Sequence, residues 1–177
     1  MNYCRLKLLA FALLIMTGIG TSTTHAHLMV ADQGTLNFLG EDVYMVLSLP
    51  AAAFTQADEN DDGLLSITEF SNHRTNIIKI ISENISLSDN KDKLPLNGLI
   101  ISPVTPHNAP KDPAQQIIAM GRFALDNSDG DLSFHVGLFS AAEKDQSLKI
   151  TARRKKEDKK HVFKLTPDDQ SVKLTFR

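Results

Sequence analysis

Between Asp58 and Glu69 the chain reads DENDDGLLSITE, with four acidic side chains and an Asn in the five residues before Gly63 and a further carboxylate at Glu69. Such a cluster repels itself unless a cation sits within it. Counted from Asp58, oxygen-bearing side chains fall at positions 1 (Asp58), 3 (Asn60), 5 (Asp62), 9 (Ser66) and 12 (Glu69), with Gly63 at 6 and Leu64 at 7. Every specified place of the pattern D-x-[DN]-x-[DN]-G-x5-E is filled. Alternate ligands converge on one point, Gly63 takes the sharp turn, and Leu64 lends its main-chain carbonyl. Ser66 contributes directly or through a water, and Glu69 closes the shell with two oxygens. All of these donors are hard oxygens and the loop holds no His or Cys, which disfavours Zn2+ and copper. A bidentate closing carboxylate exceeds the compact octahedron that Mg2+ demands and suits Ca2+.

Residues 54 to about 81 resemble an EF-hand. Leu65, at position 8, matches the family's inward-packing aliphatic residue, and Phe54 and Phe70 stand where flanking helices would carry them. The resemblance implies a helix-loop-helix holding Ca2+, inserted at about residues 50–87. EF-hands usually come in pairs joined by a short β contact at position 8, and one is found here. The nearest second candidate, Asp126 to Gly137, has Gly130 at position 5, Asp131 at 6 and Gly137 at 12, so it reads as a β-hairpin turn. After Pro50 the incoming helix has room for one or two turns. A solitary hand of this kind would be held by the rest of the domain instead of a twin.

The surrounding sequence is β-rich. GTLNFLG and DVYMVLSLP, bounded by Gly34, Gly40 and Pro50, read as strands. Ile67, Phe70, Ile77, Ile78, Ile81 and Ile85 recur at helical spacing, which predicts a helix ending near Leu87 with Ser66 and Glu69 as its capping box. Five prolines between 95 and 113 exclude a helix there, but LNGLIISPV reads as a strand. Five more strands follow, each bounded by turn signals, to give about eight in all. Short connections favour antiparallel hairpins. The fold class expected is α+β, an antiparallel β-sandwich-like domain with the single hand inserted after its second strand.

The first 26 residues have the layout of a secretory signal peptide: Arg5 and Lys7, an uncharged apolar run from Leu8 to about Gly20, and small residues ending at Ala26. The expected domains are a signal over 1–26 and a single β-rich domain over 27–177, exported to a periplasm or secreted, with no transmembrane segment in the mature chain. Taking Arg5 and Lys7 from the 19 basic residues leaves 17 against 21 acidic ones, a net of −4, which does not suggest nucleic acid as a partner. The sole cysteine, Cys4, falls within the signal, so no disulfide would hold the mature domain and a metal would help to.

Two other stretches carry candidate binding residues. Processing after Ala26 would make His27 the N-terminal residue. The stretch HAHLMVAD is similar to the mature starts of some periplasmic copper carriers, and His135 is a conceivable distant second ligand. RRKKEDKK, Arg153 to Lys160, carries six basic residues in eight and reads as a solvated hairpin tip, with an anionic surface as its alternative partner. No G-x-S-x-G, H-E-x-x-H or phosphate-binding glycine loop is present, so no enzyme activity is expected. The function expected is calcium binding that stabilises an exported fold. Its alternatives are a copper-binding periplasmic protein and an interaction module whose loops calcium orders.

Overall fold

A computed structural model describes residues 32–89, 92–106, 109–125, 131–140 and 146–176. The signal segment, His27, and residues 126–130 of the Asp126–Gly137 turn lie outside the described residues. Strand β1 (Gln33–Leu39) turns at Gly40 into β2 (Asp42–Pro50), and the two pair antiparallel. One helix follows, α1 (Ile67–Asn84), and then eight strands. These are β3 (Ile85–Asp89), β4 (Asp92–Leu94), β5 (Asn97–Val104), β6 (Gln116–Ala124), β7 (Leu132–Val136), β8 (Leu148–Arg154), β9 (Lys159–Leu165) and β10 (Ser171–Lys173).

They form two sheets. Six strands lie in the order β5-β6-β2-β1-β8-β9 and four in the order β10-β7-β3-β4. The fold is α+β and mostly antiparallel. One pair departs from that expectation, since β1 runs parallel to β8, with Leu36 opposite Ala152. Parallel neighbours need a long crossover, and most of the chain lies between these two.

Alternation explains the layering. Val43, Met45 and Leu47 of β2, Leu36 of β1, and Ile117 and Ala119 of β6 point to the same inner face and are fully or almost fully buried. The smaller sheet contributes Ile85, Leu87, Phe134 and Val136 to the same apolar cluster. Phe123 of β6 meets Phe134 of β7 edge to face at 6.5 Å, so side chains of both sheets fill one core. The helix adds Phe70, Ile77 and Ile81. Among the described residues no helix is long and apolar enough to cross a membrane.

Three expectations change. The helix stops at Asn84, and Ile85 and Leu87 belong to β3, where they pair with Val136 and Phe134 of β7. Residue 85 extends the helical spacing of 77 and 81 but also begins the two-residue alternation of a buried strand, and tertiary pairing decides. Among the described residues there are ten strands instead of about eight, the additional ones being β3 and β4. Finally, β6 and β7 lie in different sheets and do not pair with each other as the expected hairpin would have them.

Candidate metal centre

The loop from Asp58 to Glu69 hangs between the end of β2 and the start of α1. Its entry is not the expected helix. Ala51–Ala53 form a single 3-10 turn, Phe54 N donates to Ala51 O, and Ala57 N donates to Phe54 O. Only seven residues separate Pro50 from Asp58, and the first is committed to the sheet side, with Ala51 N donating to Gln115 O at 2.9 Å. Phe54 and Ala57 are nevertheless fully buried. The anchoring that an incoming helix would give comes from these two side chains, so there is an exit helix and no second helix before it.

Within the loop the backbone turns left-handed twice, at Asp61 (φ 56°) and Gly63 (φ 76°). Asp is one of the few side chains that tolerates this region, and Gly enters it freely. A Cβ at Gly63 would find only the Ala52 methyl, at 3.8 Å, so the conformation, not space, asks for Gly. Asp58 spans the turn: its Oδ2 accepts from Gly63 N at 2.8 Å and its Oδ1 from Asp62 N at 3.2 Å. Asn60 Nδ2 donates to Asp62 Oδ2 at 3.0 Å, and Asp62 Oδ1 accepts from Leu64 N at 2.8 Å.

The helix start closes the ring. Ser66 is the N-cap, its Oγ accepting from Glu69 N at 3.2 Å, while Glu69 Oε2 accepts from Ser66 N at 2.8 Å, as the capping box predicts. The other oxygen, Oε1, reaches across to accept from Glu59 N at 2.9 Å, which ties position 12 to position 2. Glu69 is the most buried acid of the loop, only 7 % exposed. The Ser66 hydroxyl, followed by the amides of Ser66 and Glu59, holds its carboxyl below the ordinary 4.5. Donors to the charged form favour ionisation. Outside the ring, Glu59 turns away to His73 of α1, Oε1 to Nε2 2.9 Å.

One contact was invisible in the sequence. Leu65 N donates to Ala114 O at 3.0 Å and Ala114 N donates to Leu65 O at 2.7 Å, an isolated antiparallel bridge. It occupies position 8, the place where the resemblance implies pairing with a second hand. Ala114 precedes β6, so the partner is the sheet-bearing body of the molecule. A polar cavity of about 450 Å3 opens beside the loop, lined among others by Asp62, Leu64, Gln115, Gln116 and Gln146.

The donor set of Asp58, Asn60, Asp62, Leu64, Ser66 and Glu69 therefore fits a hard cation in chemistry and in loop closure. The carboxylates here bond to loop amides, and among the described residues no three His, Cys, Asp or Glu side chains stand ready as a metal cage. Holding an ion would require the carboxylates of Asp58, Asp62 and Glu69 to converge on one point. The described histidines are dispersed. His73 meets Glu59, His135 shares a 2.9 Å hydrogen bond with Ser171 Oγ, and His161 Nδ1 accepts from Thr175 N. The pairing of His135 with His27 lies outside the described residues. No protein-family model and no curated protein matches the chain.

Proposed function

We propose that this chain binds one Ca2+ through the loop Asp58–Glu69, and that the ion serves as a clamp on an exported fold. The side chains of Asp58, Asn60, Asp62, Ser66 and Glu69 with the Leu64 carbonyl would hold it. The chemistry the ion supplies is neutralisation of the clustered carboxylates. In this reading the two sheets are a sandwich-like body that carries a hand lacking its first helix.

The observation that supports it most is loop closure. Glu69 bonds to the amide of Glu59, so the two ends of the dodecapeptide already lie together, and the oxygen donors fall at the spacing that hard-cation loops require. The Leu65–Ala114 bridge supports a clamp over a switch, because it fixes the loop to the body and not to a movable twin. A calcium switch typically bares a Met-rich groove. The side chains that α1 sends inward are Phe70, Ile77 and Ile81, and they lie in the core.

Calorimetric titration with Ca2+, Mg2+ and Cu2+ tests the proposal. One Ca2+ is expected per chain, with Kd at or below the 10⁻⁴ to 10⁻³ M of about the extracellular range, and Mg2+ weaker. Glu69→Gln removes a charge and one ligand oxygen and should weaken Ca2+ binding about ten-fold or more. Absence of Ca2+ heat, or a wild-type isotherm from the variant, refutes it. Stoichiometric Cu2+ uptake with no Ca2+ response would favour the N-terminal histidine instead.

A further inference from the structure

The large sheet has a second face, turned away from the core, whose composition the calcium loop does not explain. Pairing registers align Ile100, Met120, Val46, Thr35, Thr151 and Val162 in one continuous row across all six strands. Of six large exposed apolar side chains among the described residues, five lie on this face: Leu39, Tyr44, Ile100, Met120 and Val162. Scattered exposed apolar residues are ordinary, whereas a band of them on one face marks an interaction surface. A shallow hollow of about 380 Å3 lies over Tyr44, Met120 and Gly121.

At one end of the band the outward cross-strand pairs are all basic, with Glu157 and Asp158 confined to the hairpin tip. In the β8–β9 hairpin, Lys149 stands directly opposite Lys164, and Arg153 opposite Lys160, on the same outward face. Like charges directly across a ladder are destabilising. Lys155 and Lys156 add to them at the tip. All six cations are exposed, and among the described residues none has an ion pair or side-chain hydrogen bond, whereas Lys159 is held by Glu157 at 3.1 Å. Concentrating them in a chain of net charge −2 costs free energy that an anionic partner would recover.

We propose that this outer face docks on an anionic lipid bilayer, the Lys-rich hairpin meeting headgroup phosphates while Tyr44, Met120, Ile100 and Val162 enter the interface. Five of the six cations are Lys, compact charges on flexible stems that need no fixed partner geometry, unlike the planar fork of Arg. A row spanning six strands, roughly 24 Å at about 4.8 Å per strand, matches an extended surface better than a pocketed protein partner. The proposal is independent of calcium binding.

The chain has no Trp, so a single Trp placed on the face reports its own surroundings whatever the apolar N-terminal run does. Full-length Met120→Trp should shift its emission to the blue with vesicles containing phosphatidylglycerol, and Ile67→Trp, off the face, should not. The shift should vanish in 0.5 M salt, an arm that needs no further substitution. Adding Lys149→Glu, Lys160→Glu and Lys164→Glu should weaken the apparent affinity on the order of a hundred-fold. The proposal is overturned by no shift, by an equal shift with neutral phosphatidylcholine vesicles, or by insensitivity to both salt and charge reversal. It is equally overturned if a soluble polyanion such as polyglutamate elicits the shift and vesicles do not, which would assign the face to an acidic macromolecule.

Discussion

Glu69 has two oxygens, and the proposed calcium site would draw on the same pair that closes the loop. In this structure both accept amide hydrogens, one at the helix start and one at the loop start. Those donors and the Ser66 hydroxyl favour the ionised form, which is why its pKa lies below 4.5. The linkage follows in sign. A carboxyl whose folded pKa is depressed contributes stability above its unfolded value, and that stability is lost as pH falls through the folded one. In chelator, the protein should therefore lose stability below about pH 4.5, and Glu69→Gln, which does not titrate, should flatten that acid limb. Urea unfolding at pH 7 and pH 3.5 for both proteins measures it, and an equal pH dependence in the two would exclude Glu69 as a source. On the proposed reading, protons and calcium compete for the same carboxylate, so affinity should fall over the same window.

At the scale of elements, the loop is fixed from three sides: Phe54 and Ala57 before it, α1 after it, and the Leu65–Ala114 bridge across it. The bridge consists of two backbone hydrogen bonds between segments far apart in sequence, so its two amides should open together. Hydrogen exchange tests this. The amides of Leu65 and Ala114 should be protected to a similar degree in calcium and should both exchange faster in chelator, while an amide of β2 such as Met45 keeps its protection. Slowing of Leu65 alone would mean that the bridge does not couple loop to body. Local chemistry made much of this region legible in advance: the oxygen spacing, the left-handed Gly63 and the Ser66–Glu69 capping box are each written within a dozen residues. What escaped was set by distant partners. Nothing in the type of Ala114 marks it as the loop's partner. Ile85 and Leu87 fit helix and strand spacing alike, and β7 makes them strand. The parallel register of β1 on β8 likewise depends on which inner faces must be buried together, a property of the assembled core.

For the whole molecule, the balance to explain is how a domain without disulfides is held. The sole cysteine is Cys4, so no covalent cross-link joins any two described residues. Stability then rests on the shared core, where Phe123 and Phe134 knit the two sheets, and on whatever binds only the folded state. On the proposed reading the loop Asp58–Glu69 falls in the second class, because its ends are held in place by Phe54, α1 and Ala114. Free calcium at about 100 times Kd adds roughly 2.7 kcal/mol by mass action, a sizeable part of the 5 to 15 kcal/mol of about an ordinary domain. With about 2 to 4 °C of Tm per kcal/mol at this size, saturating calcium should raise the melting temperature by roughly 5 to 10 °C over chelator. The rise should continue with the logarithm of calcium concentration past saturation, as linkage to a bound ligand requires. Glu69→Gln should remove most of the rise without converting the melt to a broad, uncooperative one, since the core is untouched. A wild-type melting curve that calcium and chelator leave superimposed would show that the fold stands on its core alone and that the loop contributes no metal-linked stability.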